Sequence, residues 1–179
     1  MVDADPEIVA KFVGGGQVVL AQIDNPFARF GPALNAEFGV DPVVAAQKLD
    51  RATDEVRRKI QEALGAGADG IVYRLFGARA RHSTPMQYGG HYLERDRELL
   101  EEIADARLNV LLLVGDDDLY LDFICDLPAH VIAWDREASG FSSAQVRALR
   151  TGAQASSDPD SEILLYHPGV RIADQLDRF

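Results

Sequence analysis

The 179-residue chain is long enough for one domain with its own apolar core, and 47% hydrophobic with 26% charged residues is a globular composition. A formal net charge of −11 weighs against nucleic acid and anionic membrane surfaces as partners, since both attract Lys and Arg. One cysteine excludes an internal disulfide and, with neither a signal peptide nor an apolar stretch of bilayer length, predicts a cytoplasmic protein.

In chain order, apolar runs of strand length alternate with segments of helical period. The clearest helix starts after Asp41-Pro42, places Leu49, Val56 and Ile60 on one face, and ends at Gly65 or Gly67. Strands are predicted at 17–24, 70–76, 109–115, 130–135 and 162–169, with a weaker one at 151–155. The other helices are predicted at 5–13, 94–107, 119–127, 142–150 and 171–179.

The predicted strands are continuously apolar rather than alternating, which is typical of strands buried on both faces of a sheet. Helices between successive strands predict right-handed crossovers and parallel pairing. The predicted fold class is α/β, with parallel β/α units forming a shortened or incomplete TIM-barrel-like sheet. Because functional groups in such sheets lie at the carboxyl ends of the strands, the residues that follow each strand are the candidates for a site.

Two long segments carry a family resemblance. Residues 65–103, beginning "GAGADGIVYRLFGARARHS", and residues 109–149, beginning "NVLLLVGDDDLYLDFICDL", resemble the uroporphyrinogen decarboxylase superfamily, which also includes cobalamin- and methylthiol-linked methyltransferases. The similar features are Gly-Ala-Asp-Gly before a strand, a strand ending in Gly115, and a strand ending in Trp134-Asp135. The resemblance is best over 16–150, leaves 151–179 as a divergent C-terminal part, and implies a single domain over 1–179.

The resemblance also implies what the site holds. Full-length relatives form a (β/α)8 barrel, typically of about 250 residues, so this chain is expected to be a truncated member. The decarboxylases of the superfamily need no cofactor and no metal. Methyltransferase relatives bind zinc through thiolates, and the matching positions here, 112–115 and 168–170, contain no cysteine. The expectation is therefore no cofactor and no metal ligand.

Positive charge gathers just beyond the strand at 70–76, in an otherwise acidic chain. Arg74, Arg79, Arg81 and His82 lie in "YRLFGARARHS", and arginine forks match carboxylates and phosphates bidentately. These residues are predicted to bind an anionic small molecule, in keeping with the polycarboxylate substrate of the decarboxylases. The alternative is that they form surface ion pairs with Glu94, Glu98 or similar acids, which contribute little to stability.

The strand at 109–115 is followed by three carboxylates, Asp116, Asp117 and Asp118. They could bind a hard cation, or cap the helix that follows; capping is the favoured interpretation, and Asp116 is kept as a candidate substrate contact. His167 and Asp135, each at a strand end, are the candidate catalytic residues. The resemblance implies a histidine near the last strand and matches Asp135 to the Trp-Asp feature.

Two functions remain open at this stage. One is a uroporphyrinogen decarboxylase-like enzyme, a lyase or methyltransferase, acting on or binding a tetrapyrrole or a methyl-transfer substrate. The other is a non-catalytic relative that serves as a ligand-binding or partner subunit. An open parallel sheet exposes an unpaired edge, so a homodimer or a partner subunit is expected.

Overall fold

In the computed structural model of the protein, the described residues are 1–16, 18–150 and the backbone of 163–166. They form one sheet in the order β1-β2-β3-β4-β5-β6, and every neighbouring pair is parallel. The strands are β1 (Val2–Asp3), β2 (Leu20–Asp24), β3 (Gly70–Leu75), β4 (Val110–Leu113), β5 (Val131–Asp135) and β6 (Ile163–Tyr166). Within this part of the chain the sheet is not closed, which confirms the predicted α/β fold with an incomplete TIM-barrel-like sheet.

The segments between the strands are largely helical. The helices are α1 (Pro6–Phe12), α2 (Phe27–Phe30), α3 (Ala33–Val40), α4 (Pro42–Gly65), α5 (Pro85–His91), α6 (Leu93–Glu101), α7 (Leu121–Ile124), α8 (Arg136–Ser139) and α9 (Ser143–Leu149). None of the helices in the described ranges combines the length and apolar character that crossing a bilayer requires.

The long helix α4 follows directly from its local sequence. The Asp41 side chain accepts a hydrogen bond from the Val44 amide, Pro42 occupies the first turn, and the apolar residues recur at helical spacing. Gly67 follows the helix with a positive φ of 101°, and a Cβ there would lie 3.0 Å from Val13, which packs against this turn. The chain therefore reverses here and enters β3.

Both faces of the sheet are buried, as the continuously apolar strands predicted. One face packs against the helices through the main core, which includes Ile71, Tyr73, Leu111 and Trp134. The opposite face carries a smaller apolar cluster made by Leu20, Val72, Val110, Leu112, Val131 and Ala133. Successive residues of a strand point to opposite faces, so the polar ends Asp24 and Arg74, two residues beyond Gln22 and Val72, belong to this second face.

The single tryptophan, Trp134, is fully buried in β5 on the helix-covered face. Its indole Nε1 donates a hydrogen bond to the Phe141 carbonyl at 3.1 Å. That bond satisfies the one polar atom of a large apolar side chain and ties β5 to the loop before α9. The N-terminus of α9 is fixed by a capping box between Ser142 and Gln145.

Several elements differ from the prediction. The helix predicted at 94–107 ends at Glu101, because the backbone then turns and the Asn109 side-chain Nδ2 donates to the Ile103 carbonyl at 2.5 Å. β1, α2, α3, α5 and α8 were not predicted; they are short, and glycine or proline interrupts several of them. The strand and helix predicted at 151–155 and 171–179 lie outside the described residues.

Candidate functional site

Parallel pairing brings the ends of β2 to β5 to one edge of the sheet. Asp24 and Asp135 are the last residues of β2 and β5, and Arg74 pairs in register with Asp24. Arg79, Arg81 and His82 follow β3, and Asp116 follows β4, at the same edge. His167 lies outside the described residues.

Arg74 is held by its neighbour on β2. Its Nε donates to Asp24 Oδ1 at 2.5 Å, and its guanidinium carbon lies 5.3 Å from the centre of the Phe76 ring. Both partners of the ion pair are partly exposed. Among the described residues, no group bonds the two terminal nitrogens of this arginine. Arg74 is therefore held in one orientation, and its two terminal nitrogens can bind the two oxygens of a carboxylate or phosphate.

Arg74 lines a cleft of about 410 Å³ between the end of β2, the β1–α1 turn and one flank of α4. The other cationic side chains of the cleft are Arg58 and Lys59. Its acidic side chains are Asp3, Asp5, Asp24 and Glu62. The cleft therefore offers charges of both signs at the edge of the sheet where parallel α/β proteins hold their ligands.

Arg79 is bound by the acids that follow β4. Its Nε and Nη2 lie 2.9 and 2.8 Å from Asp118 Oδ1, and its Nη2 also donates to Asp116 Oδ2 at 2.8 Å. Only 11% of the Arg79 side chain is exposed. The neighbouring Arg81 is 66% exposed and contacts the same two carboxylates, at 3.3 and 3.8 Å. Two arginines and two aspartates thus balance each other in charge.

The cluster of Arg79, Arg81, Asp116 and Asp118 shows what two of the three acids after β4 bind. The N-cap of α7 is Tyr120, which makes no capping bond through its side chain, so the favoured capping interpretation of Asp117 and Asp118 is wrong. Asp118 instead accepts from Arg79 and from the Arg81 amide, at 3.0 Å for the latter. Although burial acts to raise it, these hydrogen bonds hold the pKa of Asp118 below its usual value. The alternative interpretation, ion pairing of these arginines, is therefore confirmed, with Asp116 and Asp118 as the partners of Arg79 and Arg81 in the described residues rather than Glu94 or Glu98.

We expect Asp118→Ala to lower the free energy of unfolding by about 2 kcal/mol at pH 7, because it leaves the nearly buried Arg79 short of an acceptor. Asp117→Ala is the matched control: the side chain is exposed and makes no hydrogen bond within the described ranges, so the change should stay within about 0.5 kcal/mol. Urea unfolding of both variants measures the difference. Equal effects would contradict the stabilising role of the contact between Asp118 and Arg79.

His82 and Asp135, two of the predicted site residues, each contact other groups of the protein rather than each other. The His82 ring stacks on Phe27 with 5.7 Å between centroids, and its Nδ1 is buried with no partner among the described residues. Burial, and then the charge of Arg79, lower the pKa of His82. Asp135 Oδ1 accepts the amides of Glu137 and Ala138 at 3.0 and 2.9 Å, and so caps α8. Asp135 therefore has a structural task at the edge of the sheet.

The most buried charge of this region was missed from the sequence. Asp96 on α6 is 1% exposed and accepts hydrogen bonds from Tyr73 at 2.6 Å, Tyr88 at 2.8 Å and Asn25 at 3.2 Å. Burial raises the pKa of the Asp96 carboxyl to about 6, against the effect of these hydrogen bonds. The signal was its spacing: Asp96 precedes Leu99 and Leu100 by three and four residues, on the inward stripe of the helix.

Asn25 links this carboxylate to the loop that follows β3. Its amide also donates to the Phe76 carbonyl at 3.1 Å and accepts from the Phe76 amide at 3.2 Å. Phe76 in turn lies against the Arg74 guanidinium. The buried network therefore sets the position of the backbone beside the cleft.

No group of three or more His, Cys, Asp or Glu side chains in the described part of the chain is arranged to hold a metal ion. Two of the three acids after β4, Asp116 and Asp118, pair with arginines, and the Asp24 carboxylate pairs with Arg74. A carboxylate that already neutralises a guanidinium group is a poor ligand for a divalent metal ion, which needs several oxygen ligands at once.

The fold is shared with a methyltransferase from Methanosarcina mazei, at a TM-score of 0.70 and 14% sequence identity. The match covers 89% of this chain and 46% of the methyltransferase, so the chain spans less than half of that protein's length. No protein-family model and no curated protein matches the sequence. At this identity the likeness shows the fold alone, and membership of the uroporphyrinogen decarboxylase superfamily stays a prediction.

Proposed function

We propose that this protein binds a small anionic molecule at Arg74, as the ligand-binding part of a protein of methyl-transfer type. The observation that carries the proposal is the open edge of the Arg74 guanidinium, fixed by Asp24 and Phe76, in a cleft at the carboxyl edge of the sheet. The fold shared with a methyltransferase supports the reaction type.

The geometry divides four of the predicted substrate-binding residues into two groups, while the fifth, His82, stacks on Phe27. Arg74 lines the cleft, whereas Arg79, Arg81 and Asp116 form a cluster whose charges are already matched by its own members. An anion at Arg79 would have to displace buried aspartate contacts, while one at Arg74 meets donors with no partner in the described residues. The cluster is therefore proposed as a clamp between the loops after β3 and β4.

The volume of the cleft bears on the substrate. At about 410 Å³ it lies near the lower end of the range for small-molecule sites, about 300–1,000 Å³. A metabolite-sized anion suits this volume better than a tetrapyrrole. Within the predicted alternatives, this favours a small methyl-transfer substrate.

We expect Arg74→Gln to weaken binding of a small carboxylate or phosphate by about 10- to 100-fold, since a charge-assisted bidentate contact contributes about 1.5–3 kcal/mol. Isothermal titration with acetate, succinate and inorganic phosphate measures it. Arg81→Ala is the matched control, because this arginine is also exposed at the edge but does not line the cleft.

Two results would contradict the proposal. One is wild-type protein to which neither phosphate nor any small carboxylate, with or without an amine on the same molecule, binds at tens of millimolar. The other is an affinity that falls in Arg81→Ala and not in Arg74→Gln, which would move the anion to the clamp. Circular dichroism of each variant shows whether the fold is retained.

A second candidate is a non-catalytic partner subunit. It is favoured by the edge of the sheet: β1 pairs only with Ala21 and Gln22, so the end of β2, Ile23 and Asp24, has no strand on that side in the described residues. Absence of ligand binding together with a dimer by light scattering at micromolar concentration would favour this role over the first.

A further inference from the structure

We infer that the ligand of the Arg74 cleft is a zwitterion, with an anionic group on the Arg74 fork and an ammonium group between the carboxylates of Asp3 and Asp24. The inference rests on the proposed function and names the class of ligand for the same site. It is carried by the arrangement of charges that remain unmatched inside the cleft.

The anionic end is specified by Arg74. Its Nε donates to Asp24, and its guanidinium carbon lies over the Phe76 ring, so the group is held on two sides. The two terminal nitrogens point their N–H groups away from that bond, and they have no partner in the described ranges. A planar pair of donors of this kind matches the two oxygens of a carboxylate.

The position of the ligand's ammonium group follows from which acids of the cleft still have an oxygen without a partner. Glu62 is paired with Arg58 at 2.7 Å. Asp5 is the N-cap of α1 and accepts the Glu7 amide at 2.8 Å, so its negative charge faces the positive N-terminus of that helix. Asp3 accepts only the Asp5 amide, through Oδ1, and Asp24 meets Arg74 only through Oδ1. One oxygen of each of these two carboxylates therefore has no partner among the described residues.

A purely anionic ligand is disfavoured by the same two carboxylates. Any group bound to the Arg74 fork lies beside Asp24, and like charges brought together without compensation cost affinity. Lys59 is exposed and has no ion pair in the described residues, so Arg74 and Lys59 together balance the charges of Asp3 and Asp24. An anionic group alone would add one uncompensated negative charge, which an ammonium group on the same ligand compensates.

The test compares ω-amino acids with carboxylates of the same length that lack the amine. Glycine, β-alanine, γ-aminobutyrate and ε-aminocaproate are titrated against acetate, propionate, butyrate and hexanoate by calorimetry at low ionic strength. We expect at least one amino acid to bind tenfold or more tightly than its partner carboxylate. The chain length of the best pair measures the separation of the two charges.

Two substitutions separate the ends of the ligand. Asp3→Asn should reduce the advantage of the amino acid to less than about threefold without weakening the binding of the carboxylate, while Arg74→Gln should weaken both ligands. Asp117→Asn is the matched control, because it removes the same charge from an exposed position outside the cleft. It should change neither affinity by more than about twofold.

The outcomes distinguish this inference from the proposed function. Carboxylates that bind through Arg74 with no gain from the amine overturn the zwitterion and leave the function standing. Succinate that binds more tightly than every amino acid would likewise overturn the zwitterion and leave the function standing. An advantage of the amine that survives both Asp3→Asn and Asp24→Asn overturns the assigned carboxylates, and no binding of either series overturns the inference and the function together.

Discussion

Replacing Gly70 by alanine is expected to lower the free energy of unfolding by more than about 4 kcal/mol, enough to prevent folding of a marginally stable domain. A Cβ at this position would lie 1.7 Å from the Leu108 carbonyl oxygen and 2.6 Å from its carbon. Backbone cannot move aside here, because Gly70 pairs with Leu20 and the Leu108 amide donates to the Asp69 carbonyl at 3.3 Å.

Gly89→Ala is the matched control for this substitution. Gly89 lies exposed in α5 with nothing within 4 Å of an added Cβ, so alanine should stabilise the helix by about 0.5–1 kcal/mol. Soluble yield and urea unfolding of the two variants make the comparison. A Gly70→Ala protein that unfolds within 1 kcal/mol of wild type would show that the approach of Leu108 to β3 is not as close as described.

Asp96→Asn is expected to remove a pH dependence of stability worth up to about 3 kcal/mol. The pKa of the Asp96 carboxyl is raised from 3.8 to about 6 in the folded state, and each pKa unit corresponds to about 1.4 kcal/mol. Between these values the folded protein keeps a proton that the unfolded chain has released. Stability from this group is therefore fully present below pH 3.8 and is lost as the pH rises through 6.

Urea unfolding at pH 4, 5, 6 and 7 tests this sign. The free energy of unfolding of the wild type, minus that of Asp96→Asn, should decrease by up to about 3 kcal/mol from pH 4 to pH 7. Subtracting the variant removes the contribution of the other carboxylates, and Asp117→Asn, an exposed acid, should show no such trend relative to wild type. A difference that is flat or increases with pH would contradict the raised pKa.

The fold was predictable because its signals are local. Continuous apolar runs such as 109–115 and the period of α4 depend on neighbouring residues alone, and both are confirmed. The capping box of α5, Thr84 with Gln87, was equally local but was obscured by Gly89 and Gly90 inside the helix. Short helices that are stabilised mainly by tertiary packing have weak helical signals in their own sequence.

The site was predictable only in part, because partner choice is not local. The sequence indicated that Arg74 and Arg79 lie at the carboxyl edge, but their partners are 50 and 39 residues away, in other strands and loops. Which carboxylate meets which arginine depends on strand order and on the path of two loops. For Asp96 the position was predictable and the partners were not. Its spacing places it on the inward stripe of α6, but only the structure shows the three neutral donors that accommodate a buried carboxylate.

The position of Trp134 has a practical consequence for fluorescence. As the one indole of the chain, it accounts for the tryptophan emission, and β4 lies between its strand, β5, and β3, which carries Arg74. Its fully buried ring is expected to shift to longer wavelength when water reaches the core, while a molecule entering the cleft touches neither the ring nor its bond to Phe141. The emission spectrum thus provides an optical record of unfolding that ligand titrations leave undisturbed.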